Sequence, residues 1–213
     1  QENIERLQEA RVAVFGIGGV GGHAVEALVR AGIGHIDIID NDTVAVSNLN
    51  RQLIATLDTI GKNKVDVMKE RILSINAQAE VIAHQCFFLP ETKDMFDFSK
   101  YDYVVDAIDM VSSKIHLVEE CIKRDIPIIS SMGMGNKLDP TKIEVSDISK
   151  THTCPLAKVM RKELRDRGIE HLKVVFSTEH PLDPKKKISN GHRIFPGSMS
   201  FMSSSGGLVI ASQ

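Results

Sequence analysis

Short apolar runs alternate with amphipathic stretches along the first 149 residues of the chain. Each apolar run has the length of a buried strand, and each amphipathic stretch repeats its apolar positions at the spacing of a helix that covers a sheet. This alternation is typical of an α/β fold with a mostly parallel sheet flanked by helices. The pattern predicts strands over residues 11–15, 35–40, 80–87, 101–108, 126–130 and 142–148, and helices over residues 20–31, 63–76 and 112–124.

The apolar positions of the predicted helix 63–76 form one stripe, so Lys64, outside that stripe, is expected to face away from the core. The stripe consists of Val65, Met68, Ile72 and Ile75. Gly32 and Gly34 follow the predicted helix 20–31, where glycine can end a helix in the left-handed conformation.

The periodicity becomes weaker after residue 149. The pattern there predicts a helix with a basic face over residues 156–167, a short strand over 173–176, a polar loop over 183–193 and a core helix that begins near residue 206. Residues 1–149 are therefore interpreted as a core, and residues 150–213 as a basic excursion that returns to it within the same single domain. Residues 150–195 contain 11 Lys or Arg against 5 Asp or Glu, although the whole chain has a formal net charge of -2. The lysine run at 185–187 fits either a solvated loop tip or a contact with an anionic partner.

Glycines follow the first predicted strand directly and open the first predicted helix. In such a turn, glycine brings the backbone close to an anionic ligand, and the helix N-terminus presents unpaired N–H donors. Asp40 ends the second strand about 20 residues later, where a carboxylate binds the ribose hydroxyls of a nucleotide. These features predict a Rossmann-like nucleotide site. Its glycines are Gly16, Gly18, Gly19 and Gly21.

The residues after Asp40 indicate which nucleotide is bound. Cleavage of ATP between its α and β phosphates requires fixed cations and a metal ion, because the leaving pyrophosphate must be neutralised. Arg51 provides a planar fork for phosphate, Lys64 provides a point charge, and Asp109 follows the fourth strand, where it can bind magnesium. We therefore predict that these three residues are catalytic, with ATP and Mg²⁺ as cofactors.

The same stretch resembles the ubiquitin-activating-enzyme superfamily. The resemblance rests on the acidic pair Asp40 and Asp42, on Ser-Asn-Leu-Asn-Arg-Gln at 47–52, on Gly-Lys-Asn-Lys at 61–64 and on Asp-Ala-Ile-Asp at 106–109. It implies that Asp42, Ser47, Asn48 and Asn50 contact the nucleotide, although Ser47 and Asn48 also suit a simple turn. Asp106 fits a helix cap as well as catalysis. Lys114 fits a contact with the phosphates as well as a position in solvent.

Within that superfamily, segments across nearly the whole chain are similar to the tRNA threonylcarbamoyladenosine dehydratases. These segments are residues 139–143, 147–151, 155–158 and 175–179. The resemblance implies ATP-dependent adenylation of the carboxylate of a threonylcarbamoyl group on a tRNA anticodon-loop adenosine. Cyclisation with dehydration would follow, and AMP and pyrophosphate would be released. It further implies tRNA as the substrate, a homodimer and a possible sulfur-transfer partner, and the basic excursion suits a tRNA backbone.

Other functions remain open at this stage. The chain could adenylate the C-terminal glycine of a ubiquitin-like sulfur carrier, act as a non-catalytic nucleotide or tRNA module, or be an NAD dehydrogenase. Cys86, Cys121 and Cys154 form no C-x-x-C pair, which argues against a thiolate zinc site and a disulfide framework and favours a reducing cytoplasm. Cys154 is interpreted as structural rather than reactive. No window is apolar enough to span a membrane.

Overall fold

A computed structural model describes residues 2–183, 188–190 and 193–213 of the chain. Seven strands form one sheet in the order β3-β2-β1-β4-β5-β7-β6, and a separate hairpin pairs β8 with β9. The strands are β1 (Arg11–Phe15), β2 (His35–Ile39), β3 (Glu80–His84), β4 (Tyr103–Asp106), β5 (Ile128–Ser131), β6 (Ile143–Asp147), β7 (Lys173–Ser177), β8 (Ile188–Asn190) and β9 (Arg193–Phe195). The helices are α1 (Glu2–Glu9), α2 (Gly21–Ala31), α3 (Lys64–Ile75), α4 (Val111–Lys123), α5 (Pro155–Arg165) and α6 (Ser200–Ala211).

Every neighbouring pair in the large sheet is parallel except β6 with β7. This confirms the predicted α/β, Rossmann-like fold. The sheet separates two apolar cores, because successive side chains of a strand point to opposite faces. In β1, Val12 and Val14 pack into the core beneath α2, α3 and α6, whereas Ala13 and Phe15 pack into the core beneath α4 and α5.

The carboxyl ends of β2, β1 and β4 lie side by side in that order, with β1 in the centre. Ligands of open α/β sheets bind at this edge. The glycine turn was predicted to follow β1, Asp40 to end the strand seen as β2, and Asp109 to follow β4. The fold therefore brings the three predicted segments to one edge of the sheet.

The last helix, α6, packs along α2. The contact is close because Gly207 has no side chain: a Cβ there would lie 2.4 Å from the carbonyl oxygen of Val20. The expectation that this helix begins near residue 206 was wrong, since it begins at Ser200. Serines and glycines have low helix propensity, which hides the first turns of α6 from a sequence pattern.

Several other boundaries differ from the prediction. The segment predicted as a polar loop over 183–193 contains all of β8 and the first residue of β9, and the lysine run at 185–187 lies outside the described residues. Helix α1 was not predicted. Gly32 ends α2 with φ +103° as expected, but Gly34 has no left-handed backbone. It permits close packing instead, because a Cβ there would lie 1.9 Å from the carbonyl oxygen of Gln8.

Candidate functional site

The glycine turn between β1 and α2 packs so tightly that side chains are excluded at most of its glycines. Gly16 has φ +92°, and a Cβ there would lie 2.5 Å from the carbonyl oxygen of Ala107. A Cβ on Gly21 would lie 1.8 Å from the carbonyl oxygen of Gly16. Gly18 differs, because the nearest atom to a Cβ there is Gln52 Nε2 at 3.8 Å. The fold therefore requires Gly16 and Gly21, whereas Gly18 borders open space that an anionic ligand can approach.

Asp40 fixes the conformation of this turn. Its Oδ2 accepts a hydrogen bond from the backbone N–H of Ile17 at 2.7 Å, and its Oδ1 accepts one from the backbone N–H of Asp42 at 2.8 Å. The carboxylate is largely buried, and burial raises the pKa of Asp40 although nearby Lys64 opposes that shift. Asp40 thus lies beside the glycine turn, in the position expected of a ribose-binding carboxylate.

Lys64 is the cation that balances Asp40. It begins α3, and its Nζ lies 2.8 Å from Asp42 Oδ2 and 3.8 Å from Asp40 Oδ1. Lys64 points away from the apolar stripe of α3, as expected, but towards these carboxylates rather than into solvent, and only 4% of the residue is exposed. The two carboxylates explain the burial, since a buried ammonium needs paired charges. Lys64 consequently lies at the carboxyl end of β2, within the predicted site.

Arg51 lies against the glycine turn. A Cβ on Gly19 would be 3.4 Å from Arg51 Cγ and 2.9 Å from Ser203 Cβ of α6. The guanidinium donates to the carbonyl oxygen of Ser47 at 2.9 Å and to Asn50 Oδ1 at 3.0 Å. These bonds are local and leave part of its donor fork available for phosphate.

The other polar residues of the 47–50 segment have structural contacts. Asn48 Oδ1 accepts a hydrogen bond from the backbone N–H of Ala45 at 2.9 Å, which is the turn role considered in the sequence analysis. Asn50 Nδ2 donates to the carbonyl oxygen of Ser198 at 2.9 Å and so connects this segment to the approach to α6. Ser47 is exposed. Nucleotide contacts by Ser47, Asn48 and Asn50 remain predictions.

Asp109 lies three residues beyond the end of β4, just before α4, and it is exposed. The loop that carries it touches the glycine turn, since Ala107 packs against Gly16. No group of three or more His, Cys, Asp or Glu side chains that could hold a metal is found among the described residues. Magnesium does not need such a group, because one or two carboxylates and phosphate oxygens complete its coordination. The donors at this edge therefore fit Mg²⁺ bound together with a nucleotide.

Behind this loop lies a buried ion pair that the sequence analysis missed. Lys114 Nζ of α4 is 2.9 Å from Asp106 Oδ2, and both side chains are fully buried. Both positions considered for Lys114, beside the phosphates and in solvent, were therefore wrong, since the residue lies in the protein interior. Asp106 Oδ1 accepts a hydrogen bond from the backbone N–H of Ile108 at 3.1 Å, which is a contact within the loop. The expected helix cap was therefore wrong, since the N-cap of α4 is Met110 and no side chain caps this helix. The only sequence signal was the pairing of opposite charges eight residues apart.

Two of the three cysteines are buried and the third is half-buried. Cys121 and Cys154 are buried, and burial raises the pKa of the Cys121 thiol to about 12. Cys86 is half-buried, and burial raises the pKa of its thiol as well. A raised pKa suppresses the thiolate form that nucleophilic chemistry requires.

No helix among the described residues is both long and apolar enough to cross a membrane.

Comparisons with known proteins agree with this geometry. Residues 1–180 match the ThiF family. The tRNA threonylcarbamoyladenosine dehydratase of Bacillus subtilis is 48% identical over 99% of this chain and 87% of its own length. The Haemophilus influenzae protein of the same name is 44% identical over 77% of this chain and 63% of its own length. The crystal structure of the E. coli tRNA N6-threonylcarbamoyladenosine dehydratase in complex with ATP superposes with a TM-score of 0.90 and 36% identity, covering 100% of this chain and 86% of that one.

Proposed function

This chain belongs to the ThiF family, and we propose that it is an ATP-dependent tRNA threonylcarbamoyladenosine dehydratase, a ligase-type enzyme that adenylates a carboxylate. The observation that carries the proposal is the full-length likeness to an enzyme of that name solved with ATP, at 36% identity. The local geometry supports it, because the glycine turn, Asp40, Lys64 and Arg51 meet at the edge where open α/β sheets bind nucleotides.

The proposed reaction has two steps. A carboxylate oxygen of the threonylcarbamoyl group attacks the α phosphorus of ATP, and pyrophosphate leaves with the electrons of the broken P–O bond. An internal nucleophile of the same group then attacks the activated acyl carbon, closes a ring, loses its proton and expels AMP. The substrate provides both nucleophiles, so the protein acts through positioning and charge stabilisation.

The side chains divide this work by position. The backbone at Gly18 approaches the phosphates, Asp40 binds the ribose hydroxyls, and Arg51 stabilises the charge that develops on the triphosphate. Lys64 keeps Asp40 ionised and adds positive charge beside the nucleotide. Asp109 would hold Mg²⁺, which when bound neutralises charge on the phosphates.

The basic face of α5 would bind the tRNA backbone. Lys158, Lys162 and Arg165 are exposed on this helix, whereas Arg161 is used internally, donating to the carbonyl oxygen of Thr151 at 2.8 Å. Phosphate contacts by exposed cations make affinity fall with salt. The K158A/K162A protein should therefore bind tRNA more weakly, with a smaller dependence on salt concentration. The K100A/K123A protein, in which two exposed lysines elsewhere are removed, should bind like the wild type.

We further propose that the protein works in the cytoplasm as a homodimer, with a sulfur-transfer protein as a possible partner, as in the resembling family. Light scattering on the purified protein would test the dimer, since a monomeric mass over the working concentration range would contradict it. Co-purification of a sulfur-transfer protein with the tagged chain would test the partner.

Mass spectrometry of anticodon-loop nucleosides would test the reaction. The protein, ATP and tRNA that carries threonylcarbamoyladenosine should yield the cyclised nucleoside, which is lighter by one water. Omission of ATP, or use of tRNA that lacks the modification, should yield none. Pyrophosphate exchange that depends on a ubiquitin-like sulfur carrier instead of tRNA would favour the alternative substrate. Nucleotide binding without turnover on either would favour a non-catalytic module.

A further inference from the structure

Buried polar groups connect the two ends of the loop between β4 and α4. Asp106 ends β4, and Lys114 lies in the first turns of α4, where its backbone N–H donates to the carbonyl oxygen of Met110 at 3.0 Å. Their side chains meet at 2.9 Å with no exposed surface on either. Ser130 of β5 donates to the same Asp106 oxygen at 2.5 Å. Three elements are thus joined at one carboxylate.

The same carboxylate also shapes the loop itself. Its other oxygen accepts the backbone N–H of Ile108 at 3.1 Å, and the neighbouring Ala107 packs against Gly16 of the glycine turn. Asp109 is the next residue, and its side chain is exposed at the sheet edge. Asp109, the only charged residue of this loop, therefore follows directly on a backbone that Asp106 holds.

A stabilising role alone does not account for this arrangement. The attraction within a buried ion pair is little larger than the free energy needed to remove the two charges from water. Well-packed apolar residues in the same place often give equal stability. Lys114 Nζ contacts Asp106 without the alignment of a hydrogen bond, so the pair gives even less than its distance indicates. A charged pair can instead fix geometry, because it holds the end of β4 and the start of α4 in one relative position.

We propose that Lys114 and Asp106 are positioning residues that hold Asp109 in the geometry needed to bind a magnesium–nucleotide complex. The inference rests on the proposed function, since it takes ATP and a divalent cation as the ligands of this edge. Lys114 touches neither nucleotide nor metal. It acts through Asp106 and the loop that Asp106 fixes.

Equilibrium binding measures this role without catalysis. The dissociation constant of ATP is measured with and without Mg²⁺, and the ratio of the two values gives the magnesium enhancement. In the D106N/K114M protein, both buried charges are removed together, so that neither is left unpaired. We expect it to bind ATP without Mg²⁺ within about twofold of the wild type and to lose at least fivefold of the enhancement.

A double-mutant cycle with Asp109 separates positioning from general structure. The D109A protein should lose most of the enhancement, and adding D106N/K114M to it should lower the enhancement by less than twofold, because the carboxylate that the pair positions is gone. An equal loss in both backgrounds would overturn the proposal. So would an undiminished enhancement in the D106N/K114M protein.

The R11M/D37N protein is a matched control. Arg11 and Asp37 form another largely buried ion pair, with Nη1 and Oδ1 2.9 Å apart. Arg11 begins β1 at the end opposite the glycine turn, and Asp37 lies in the middle of β2, so neither belongs to the β4–α4 loop. This control should lower thermal stability and leave the magnesium enhancement unchanged. A similar loss of enhancement in the control would mean that any buried pair has this effect, which would overturn the proposal.

A milder variant keeps the test decisive if the paired substitution fails to fold. Ser130→Ala removes one hydrogen bond to Asp106 and leaves no buried charge unpaired, so we expect it to fold and to lose about twofold of the enhancement. An enhancement equal to that of the wild type would count against the proposal. Failure of the wild-type protein to bind ATP would instead overturn the proposed function itself, and this inference with it.

Discussion

Lys64→Met tests the charge balance at the base of the site. Lys64 Nζ and Asp40 Oδ1 are 3.8 Å apart, and both side chains are at most 10% exposed. At an effective dielectric constant of about 20, unit charges at this distance attract by about 4 kcal/mol. Removal of the ammonium leaves only the backbone N–H donors of Ile17 and Asp42 to offset the burial of Asp40, so the pKa of Asp40, already raised by burial, should rise further.

The sign of the pH dependence follows from this shift. An acid whose pKa is higher in the folded state than in the unfolded state stabilises the fold at low pH, and it loses that contribution as the pH rises through its folded-state pKa. The unfolded value is about 3.9. Compared with the wild type, the K64M protein should therefore lose stability as the pH rises from about 4 towards 8, by at most about 4 kcal/mol, which is the lost attraction.

Urea denaturation at a series of pH values measures this loss. The D40N/K64M protein is the control, because it has the same lysine substitution without a carboxyl to titrate. Its difference from the wild type should be nearly independent of pH in this window. If the K64M and D40N/K64M proteins showed the same pH dependence, Lys64 would not be what keeps Asp40 ionised, and the assigned charge balance would be refuted.

Three further variants test separate parts of the site. The Gly18→Ala protein should melt within about 3 °C of the wild type and bind ATP at least tenfold more weakly by calorimetry. The Gly21→Ala protein should fail to fold, because the added Cβ would lie 1.8 Å from a backbone oxygen. Arg51→Ala should raise the KM for ATP about tenfold to hundredfold with little change in melting temperature, since its hydrogen bonds are local. Asp109→Asn should lower kcat at least hundredfold without loss of stability, and retained turnover would contradict its assignment.

The sequence predicts the sheet and the glycine turn well because both have local signals. A buried strand is a short apolar run, and the turn at Gly16 needs a residue with positive φ and no Cβ, so the chain itself shows where each lies. The left-handed end of α2 at Gly32, with φ +103°, could be predicted for the same reason. Such features are determined within a few neighbouring residues.

The burial of two lysines was not predicted, for the opposite reason. Lys64 and Lys114 lie in amphipathic helices, where periodicity places a cation on the solvent face. Their burial depends on Asp40, Asp42 and Asp106, which are carboxylates from other parts of the chain, and no helical pattern includes them. A charge can be buried only where its partner is also present, and that partner becomes visible only in the folded structure.

The late part of the chain completes the nucleotide edge. Strand β7 lies between β5 and β6, so residues beyond 149 supply an interior strand of the sheet. The chain then returns through Ser198, which accepts the hydrogen bond from Asn50, and α6 places Ser203 against Gly19. Arg51 adjoins the same glycine, so the predicted tRNA-binding excursion and the predicted phosphate ligand share one contact.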